Sequence, residues 1–166
     1  MLRNAKRKKK TKNWQPNVFA KKNIIKYNNI PNLFNIELLN ETIYNYVNTN
    51  GYSLKKTYYN FVSKEELLKI NREYLNHNNH TDIISFDYSN NNLIEAEFYI
   101  SMHAIKISAK KESQTTENEL LRVIVHGILH CMGYNDQTKQ ETAIMRKKEE
   151  EFLSLFHVKQ ERYVWK

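Results

Sequence analysis

Cysteine is close to absent from this chain of 166 residues: the single Cys131 cannot close an internal disulfide, which fits a reducing compartment and predicts a cytoplasmic protein. Glycine (3) and proline (2) are scarce too, while Asn, Lys, Ile and Tyr are used heavily; this reads as a nucleotide-composition bias, and no function attaches to it. No apolar run approaches the roughly 18 residues of a membrane span. The amino terminus is basic with no apolar core behind it, so no secretory signal is predicted. Acidic residues are missing before residue 14, where Arg3, Lys6, Arg7, Lys8, Lys9, Lys10 and Lys12 supply seven of the +8 net charges and leave +1 for the rest. Residues 1–17 are therefore expected to form a basic, flexible extension, which either neutralises RNA phosphates by counterion release or serves only solubility. The run has no substantial apolar face, which argues against an amphipathic membrane anchor.

What is present describes one soluble domain over residues 18–166, from a chain with 40% hydrophobic and 27% charged residues. A chain of this size buries roughly 70% of the surface its unfolded form exposes. Asn23 to Tyr27 reads as a first strand, and Asn35 caps a helix with Ile36, Leu38, Leu39, Ile43, Tyr44 and Val47 near helical spacing, stopped by Gly51. Lys56 to Val62 is aromatic and β-branched, hence a strand, and Ser63-Lys-Glu-Glu66 is a capping box that opens a helix to about Leu75. Further strands are expected over Asp82 to Asp87 and Glu97 to Ser101, then a helix over Met102 to Lys111. Thr116-Glu-Asn-Glu119 is a second capping box, for a helix reaching residue 132. A charged helix from Thr138 to about Phe156 closes the chain, with Ala143, Met145, Phe152 and Leu155 as packing residues. The sum is an α+β domain with about four strands in a mixed sheet and about five helices.

The chemistry concentrates in His126-Gly-Ile-Leu-His130-Cys-Met-Gly133-Tyr134-Asn135-Asp136. On a helix, positions i and i+4 lie one above the other, so both imidazoles can turn toward one point. Gly133 permits the left-handed backbone that ends a helix, and the turn it makes can bring Asp136 back to the rings. Ile124, Val125, Ile128, Leu129 and Met132 surround the pair, and an imidazole on a buried helix needs a partner. Three such donors with a fourth position left to water suit a catalytic zinc ion, which lowers the pKa of bound water from about 15.7 to roughly 7. The plainer alternatives are helix histidines without a metal, and an Asp136 that caps the next helix. Gly127 stands where the common metalloprotease helix carries a Glu base, so proton transfer falls to metal-bound hydroxide or to a carboxylate elsewhere. Cys131 reads as a small core residue, and His77 and His80 as solvated loop residues.

These residues resemble the signature of the YbeY family, bacterial single-domain metal-dependent endoribonucleases of ribosomal RNA maturation, whose motif reads H-G-x-L-H-L-x-G-Y-D-H. His126, Gly127, Leu129, His130, Gly133 and Tyr134 match it. A second segment, from Asn71 through Tyr74 to Thr81-Asp82-Ile83-Ile84-Ser85-Phe86, resembles the family's N-x-x-(Y/F)-…-T-(D/N)-V-L-S-F, and the likeness spans roughly residues 23–155. The family's third histidine falls at Asp136 and its preceding aspartate at Asn135. The resemblance thus implies a site of two His and one Asp, carrying one more negative charge and a less acidic bound water. Some members carry an arginine, linked to catalysis, after the aromatic that Tyr74 matches; here that place holds Leu75, leaving Arg72 and Arg122 as candidates for its role. The family's Gly-Asp-Ile is replaced by Ala96-Glu97-Phe98, so Glu97 is a candidate for orienting a ligand histidine, or else an exposed strand charge.

What the resemblance implies is a single-strand-specific endoribonuclease using one zinc ion, acting at the 3′ end of small-subunit ribosomal RNA and in ribosome quality control. Its partners would be precursor ribosomal RNA and the ribosome, with ribosomal proteins or assembly factors beside them and no membrane. Tyr58, Tyr59, Phe86 and Tyr88 are candidates for stacking on RNA bases, and Ser85 for an RNA or backbone contact. Two other functions fit the residues. One is a zinc metallopeptidase, against which Gly127 argues; the other is a ribosome-assembly binding factor with a structural metal, which the changed third ligand and Leu75 keep open.

Overall fold

A computed structural model describes residues 24–75, 78 and 80–164, so the basic extension and His77 lie outside the described residues. Four strands, β1 (Ile25–Asn28), β2 (Ser53–Val62), β3 (Ile83–Asp87) and β4 (Leu93–Ser101), form one sheet among the described residues in the order β1-β2-β4-β3. β1 runs parallel to β2 and β2 to β4, while β3 is antiparallel to β4, so the sheet is mixed. Five helices accompany it among the described residues: α1 (Ile36–Thr49), α2 (Lys64–Leu75), α3 (Met102–Lys111), α4 (Thr116–Cys131) and α5 (Lys139–Val164). This is the expected α+β domain. No helix among the described residues is long and apolar enough to cross a membrane.

Alternation along the strands decides which face is buried. Thr57, Tyr59 and Phe61 of β2 and Ile94, Ala96, Phe98 and Ile100 of β4 turn to the core, where Tyr59 stacks between Tyr27 and Phe98 with ring centroids 5.4 and 4.8 Å away. Tyr59 is thus a packing residue and unavailable for base stacking. α4 crosses this face, with Leu120, Ile124, Ile128 and Leu129 fully buried, and Phe152 and Phe156 of α5 close the layer above it. On the other face, Tyr74 of α2 meets Phe86 edge to face at 5.4 Å.

The helix starts follow local chemistry. Asn35 Oδ1 accepts from the Leu38 amide at 3.1 Å, and Ser63 and Glu66 exchange the two bonds of a capping box at 2.9 and 3.1 Å. At α4 the cap is one residue earlier than expected: Thr115 Oγ1 accepts from the Asn118 amide at 3.1 Å. Glu119, released from a capping role, turns inward instead. β4 begins at Leu93, ahead of the expected Glu97, because Ile94 and Ala96 continue the buried alternation. α5 runs past Phe156 to Val164, aided by a contact of 2.9 Å between His157 Nε2 and Asn118 Oδ1, while Ala143 and Leu155 lie exposed on its outer side.

Gly127 has a structural reason beyond the absence of a base. A Cβ built there would sit 2.6 Å from Cε1 of Phe98, closer than real Cβ atoms approach, and a tight 3.1 Å from Cδ1 of Ile83. The glycine lets α4 press onto β4, which fixes the depth at which the adjacent His126 stands.

Candidate metal centre

His126 and His130 leave the same side of α4, one turn apart, with their Nε2 atoms 2.9 Å from each other. The helix ends at Cys131, and Gly133 takes φ +89°, a left-handed value that costs an L-residue roughly 1–2 kcal/mol. Two bonds close the turn, Gly133 N to His130 O at 2.9 Å and Tyr134 N to Leu129 O at 3.0 Å. Tyr52 adds an anchor from β2's approach, its hydroxyl donating to the Met132 carbonyl at 2.7 Å. The returning chain sets Asp136 Oδ2 3.5 Å from His126 Nε2 and 3.7 Å from His130 Nε2. One donor atom from each of the three residues thus lies within 4.8 Å of the others.

The outer ring nitrogens explain why the inner ones face each other. His130 Nδ1 lies 2.9 Å from the Tyr134 carbonyl, and His126 Nδ1 lies 2.8 Å from Oε1 of Glu149 on α5. A carbonyl and a carboxylate only accept, so each Nδ1 carries a proton and, in the neutral ring, each Nε2 presents a lone pair. Two lone pairs 2.9 Å apart beside a carboxylate repel one another unless a cation lies between them. The donor set therefore fits a metal ion by its own chemistry: two imidazole nitrogens and one carboxylate oxygen, each ring oriented by a second hydrogen bond.

Glu149 was hidden from sequence reasoning inside the charged run of α5, yet it is 2% exposed. A signal was there: it stands four residues after Met145 and three before Phe152, both buried, and so on the inner stripe of the helix. Burial pushes its carboxyl up, but the hydrogen bond and charge of His126, with Arg122 and Arg146, more than offset this and hold its pKa below the ordinary glutamate value. Glu97 does not occupy this place. It lies on β4, accepting from Tyr99 Oη at 2.8 Å and Asn60 Nδ2 at 3.2 Å, and Glu149 is the carboxylate that meets His126.

Of the two arginines considered from the sequence, Arg122 is brought to the centre and Arg72 is not. Arg72 is exposed and donates to Asn78 Oδ1 at 2.6 Å. Arg122 is buried beside His126, 3.2 Å from Glu149 and 2.7 Å from Glu150. Arg146 of α5, which sequence reasoning passed over, lines the same cavity as His126 and Asp136. Cys131 is a core residue, its thiol pushed up to about 12 by burial and by Asp87, and it is absent from the donor cluster. His80 is exposed and stands apart from that cluster as well. Ser85 sits in the β3–β4 ladder opposite Phe98.

An α+β sheet crossed by a helix whose end gathers two imidazoles and a carboxylate defines a domain with a donor group that could hold a metal ion. The family model described as Endoribonuclease YbeY matches residues 20–157, and the chain belongs to that family. Among curated relatives named Endoribonuclease YbeY, that of Flavobacterium johnsoniae is 46% identical over 102 residues, covering 61% of this chain and 73% of the relative. That of Chlorobium limicola is 38% identical over 120 residues, covering 72% of this chain and 83% of the relative. The solution structure of TM1509 from Thermotoga maritima matches with TM-score 0.61 at 21% identity, over 84% of this chain and 93% of that one, a likeness of fold.

Proposed function

We propose that this chain is a cytoplasmic, single-strand-specific, zinc-dependent endoribonuclease that matures the 3′ end of small-subunit ribosomal RNA and takes part in ribosome quality control. Its substrate is precursor ribosomal RNA, met on the ribosome with ribosomal proteins or assembly factors as further partners. The observation that carries the reading is the pair of facing Nε2 atoms, 2.9 Å apart beside Asp136, in a chain of an endoribonuclease family.

His126, His130 and Asp136 would hold one ion, and the ion would polarise a phosphoryl oxygen and activate water. Glu149 keeps the proton of His126 on Nδ1, and the Tyr134 carbonyl does the same for His130, so neither ring can turn its lone pair away. Asp136 is the most exposed of the three donors. Gly127 presses against Phe98 and offers no side chain for proton transfer, which disfavours a peptidase using the helix base.

The test is cleavage of precursor ribosomal RNA by purified wild type beside His130→Ala, each with bound metal quantified. Metal-dependent cutting that the variant loses is the expected result. Stoichiometric metal with RNA binding but no cutting, on naked RNA and on ribosomal particles alike, would replace the nuclease with a binding factor.

A further inference from the structure

Two guanidiniums share a cavity of about 150 Å³ with His126 and Asp136, and they differ in what already holds them. Arg122 is 8% exposed, and each nitrogen of its fork faces a carboxylate: Nη1 lies 3.2 Å from Glu149, Nη2 2.7 Å from Glu150 and Nε 3.6 Å from Glu119. Moving it would leave the buried Glu119 without its ion pair and Glu149 with one partner fewer, a cost that ties it to the scaffold. The Arg146 side chain is 52% exposed, and among the described residues its ion-pair partner is Glu149 alone, at 3.3 Å from Nη1. Glu149 Oε2 already has Arg122, and its Oε1 has His126, so releasing Arg146 leaves no buried acid unpaired.

Hydrolysis of a phosphodiester requires positive charge where its non-bridging oxygens lie. The cavity wall has little to spare. Asp82, Glu119, Asp136 and Glu149 stand against the two guanidiniums, so one divalent ion only brings the formal charge to zero. Without Arg146 the wall would stay net negative even with the ion bound and would repel the substrate. Neither Leu75 nor Arg72 makes up the difference, since the first carries no charge and the second lies outside the cavity.

The geometry points to Arg146 as the residue that binds the scissile phosphodiester beside the metal centre, through a two-pronged guanidinium contact to its non-bridging oxygens. This rests on the endoribonuclease reading. Planar, bidentate recognition of phosphate is what an arginine supplies and a lysine does not.

The experiment uses the full chain loaded with Co²⁺, whose visible spectrum reports the donor set, in wild type, Arg146→Ala and Arg146→Lys. Inorganic phosphate is titrated against the spectrum, and a labelled single-stranded oligoribonucleotide is cut under single-turnover conditions. The expected result is one phosphate-free spectrum for all three proteins, phosphate affinity at least about tenfold lower in Arg146→Ala, and cleavage slowed about 100-fold or more. Arg146→Lys should fall between them, and added guanidinium ion should restore part of the cleavage in Arg146→Ala but not accelerate wild type. Phosphate affinity and cleavage within twofold of wild type in Arg146→Ala would overturn the assignment. A changed phosphate-free cobalt spectrum would also overturn it, making Arg146 a support for Glu149. Wild type that perturbs its spectrum with phosphate through Arg146 but cuts no RNA would retain the anion subsite and remove the nuclease reading.

Discussion

His126 Nδ1 and Glu149 Oε1 lie 2.8 Å apart, joining a residue of α4 to a nearly inaccessible carboxylate on α5. The direction of the His126 lone pair is thus set by a helix that supplies none of the three clustered donors. Outer partners of this kind are worth about 10–100-fold in metal affinity. Glu149→Ala should lose about that much in competition with a chromophoric chelator, and Glu149→Gln, which keeps an acceptor oxygen, should lose less. Three equal affinities would remove Glu149 from the centre.

Asp136 closes the donor set, 3.5 and 3.7 Å from the two Nε2 atoms. Asp136→Ala is expected to lower zinc affinity sharply with little change in the melting temperature of the metal-free protein, because its side chain is partly exposed. Zinc retained at full stoichiometry by the variant after dialysis against a chelator would contradict the ligand assignment.

At Gly127 a methyl group must displace Phe98, a fully buried ring. Overpacking of this sort costs about 1–3 kcal/mol, while alanine in a helix returns at most about 1 kcal/mol. Gly127→Ala should therefore be net destabilised in urea denaturation, and it should weaken metal binding because His126 moves with the helix. An unchanged denaturation midpoint would mean that α4 can lift from the sheet without cost.

Glu66 and Glu141 accept from the backbone amides of Ser63 and Thr138, each at 2.9 Å, and these bonds hold both carboxyls below the ordinary glutamate range. A lowered folded pKa means stability that is present above the unfolded value of about 4.3 and lost as pH falls through the folded one. The double variant Glu66→Gln/Glu141→Gln keeps the capping acceptors but cannot titrate there. Its melting temperature should fall less steeply with acid than that of wild type, and matching acid limbs would show that the caps do not contribute.

The seven cations before residue 14 should give RNA binding a salt dependence that the rest of the chain does not need. Each phosphate contact contributes about 0.7 to the log–log slope for single strands. Deleting residues 1–13 should flatten that slope while leaving cleavage at low salt in place, as fluorescence anisotropy at several salt concentrations would show. An unaltered slope would leave the arm a solubility device.

Much of this was legible beforehand because local chemistry determined it. Asn35, Ser63 and Gly133 act through atoms a few residues away, so their helix ends fell close to where the sequence put them. The two histidines and Asp136 span a single turn and its return, which spacing alone can suggest. Thr115 and Thr116 offer equivalent hydroxyls, and the burial of Glu119 decided between them. Spacing from Met145 and Phe152 can put Glu149 on the inner stripe of α5, but its meeting with His126, and the place of Arg146 on the same cavity, depend on how α5 docks against α4. Glu97 failed as an orienting group because its strand register turns it to the sheet face opposite the one Phe98 presents to Gly127.

The three donors close within a short stretch of chain, whereas Glu149 arrives only once α5 has docked. Short loops cost little entropy to close, so capture of an ion would need far less of the fold than its correct orientation would. As the chain is synthesised, the donors leave the ribosome before the residue that aims one of them. Loading with metal and maturing into a directed site would therefore be separable events, the second contingent on the docking of α5.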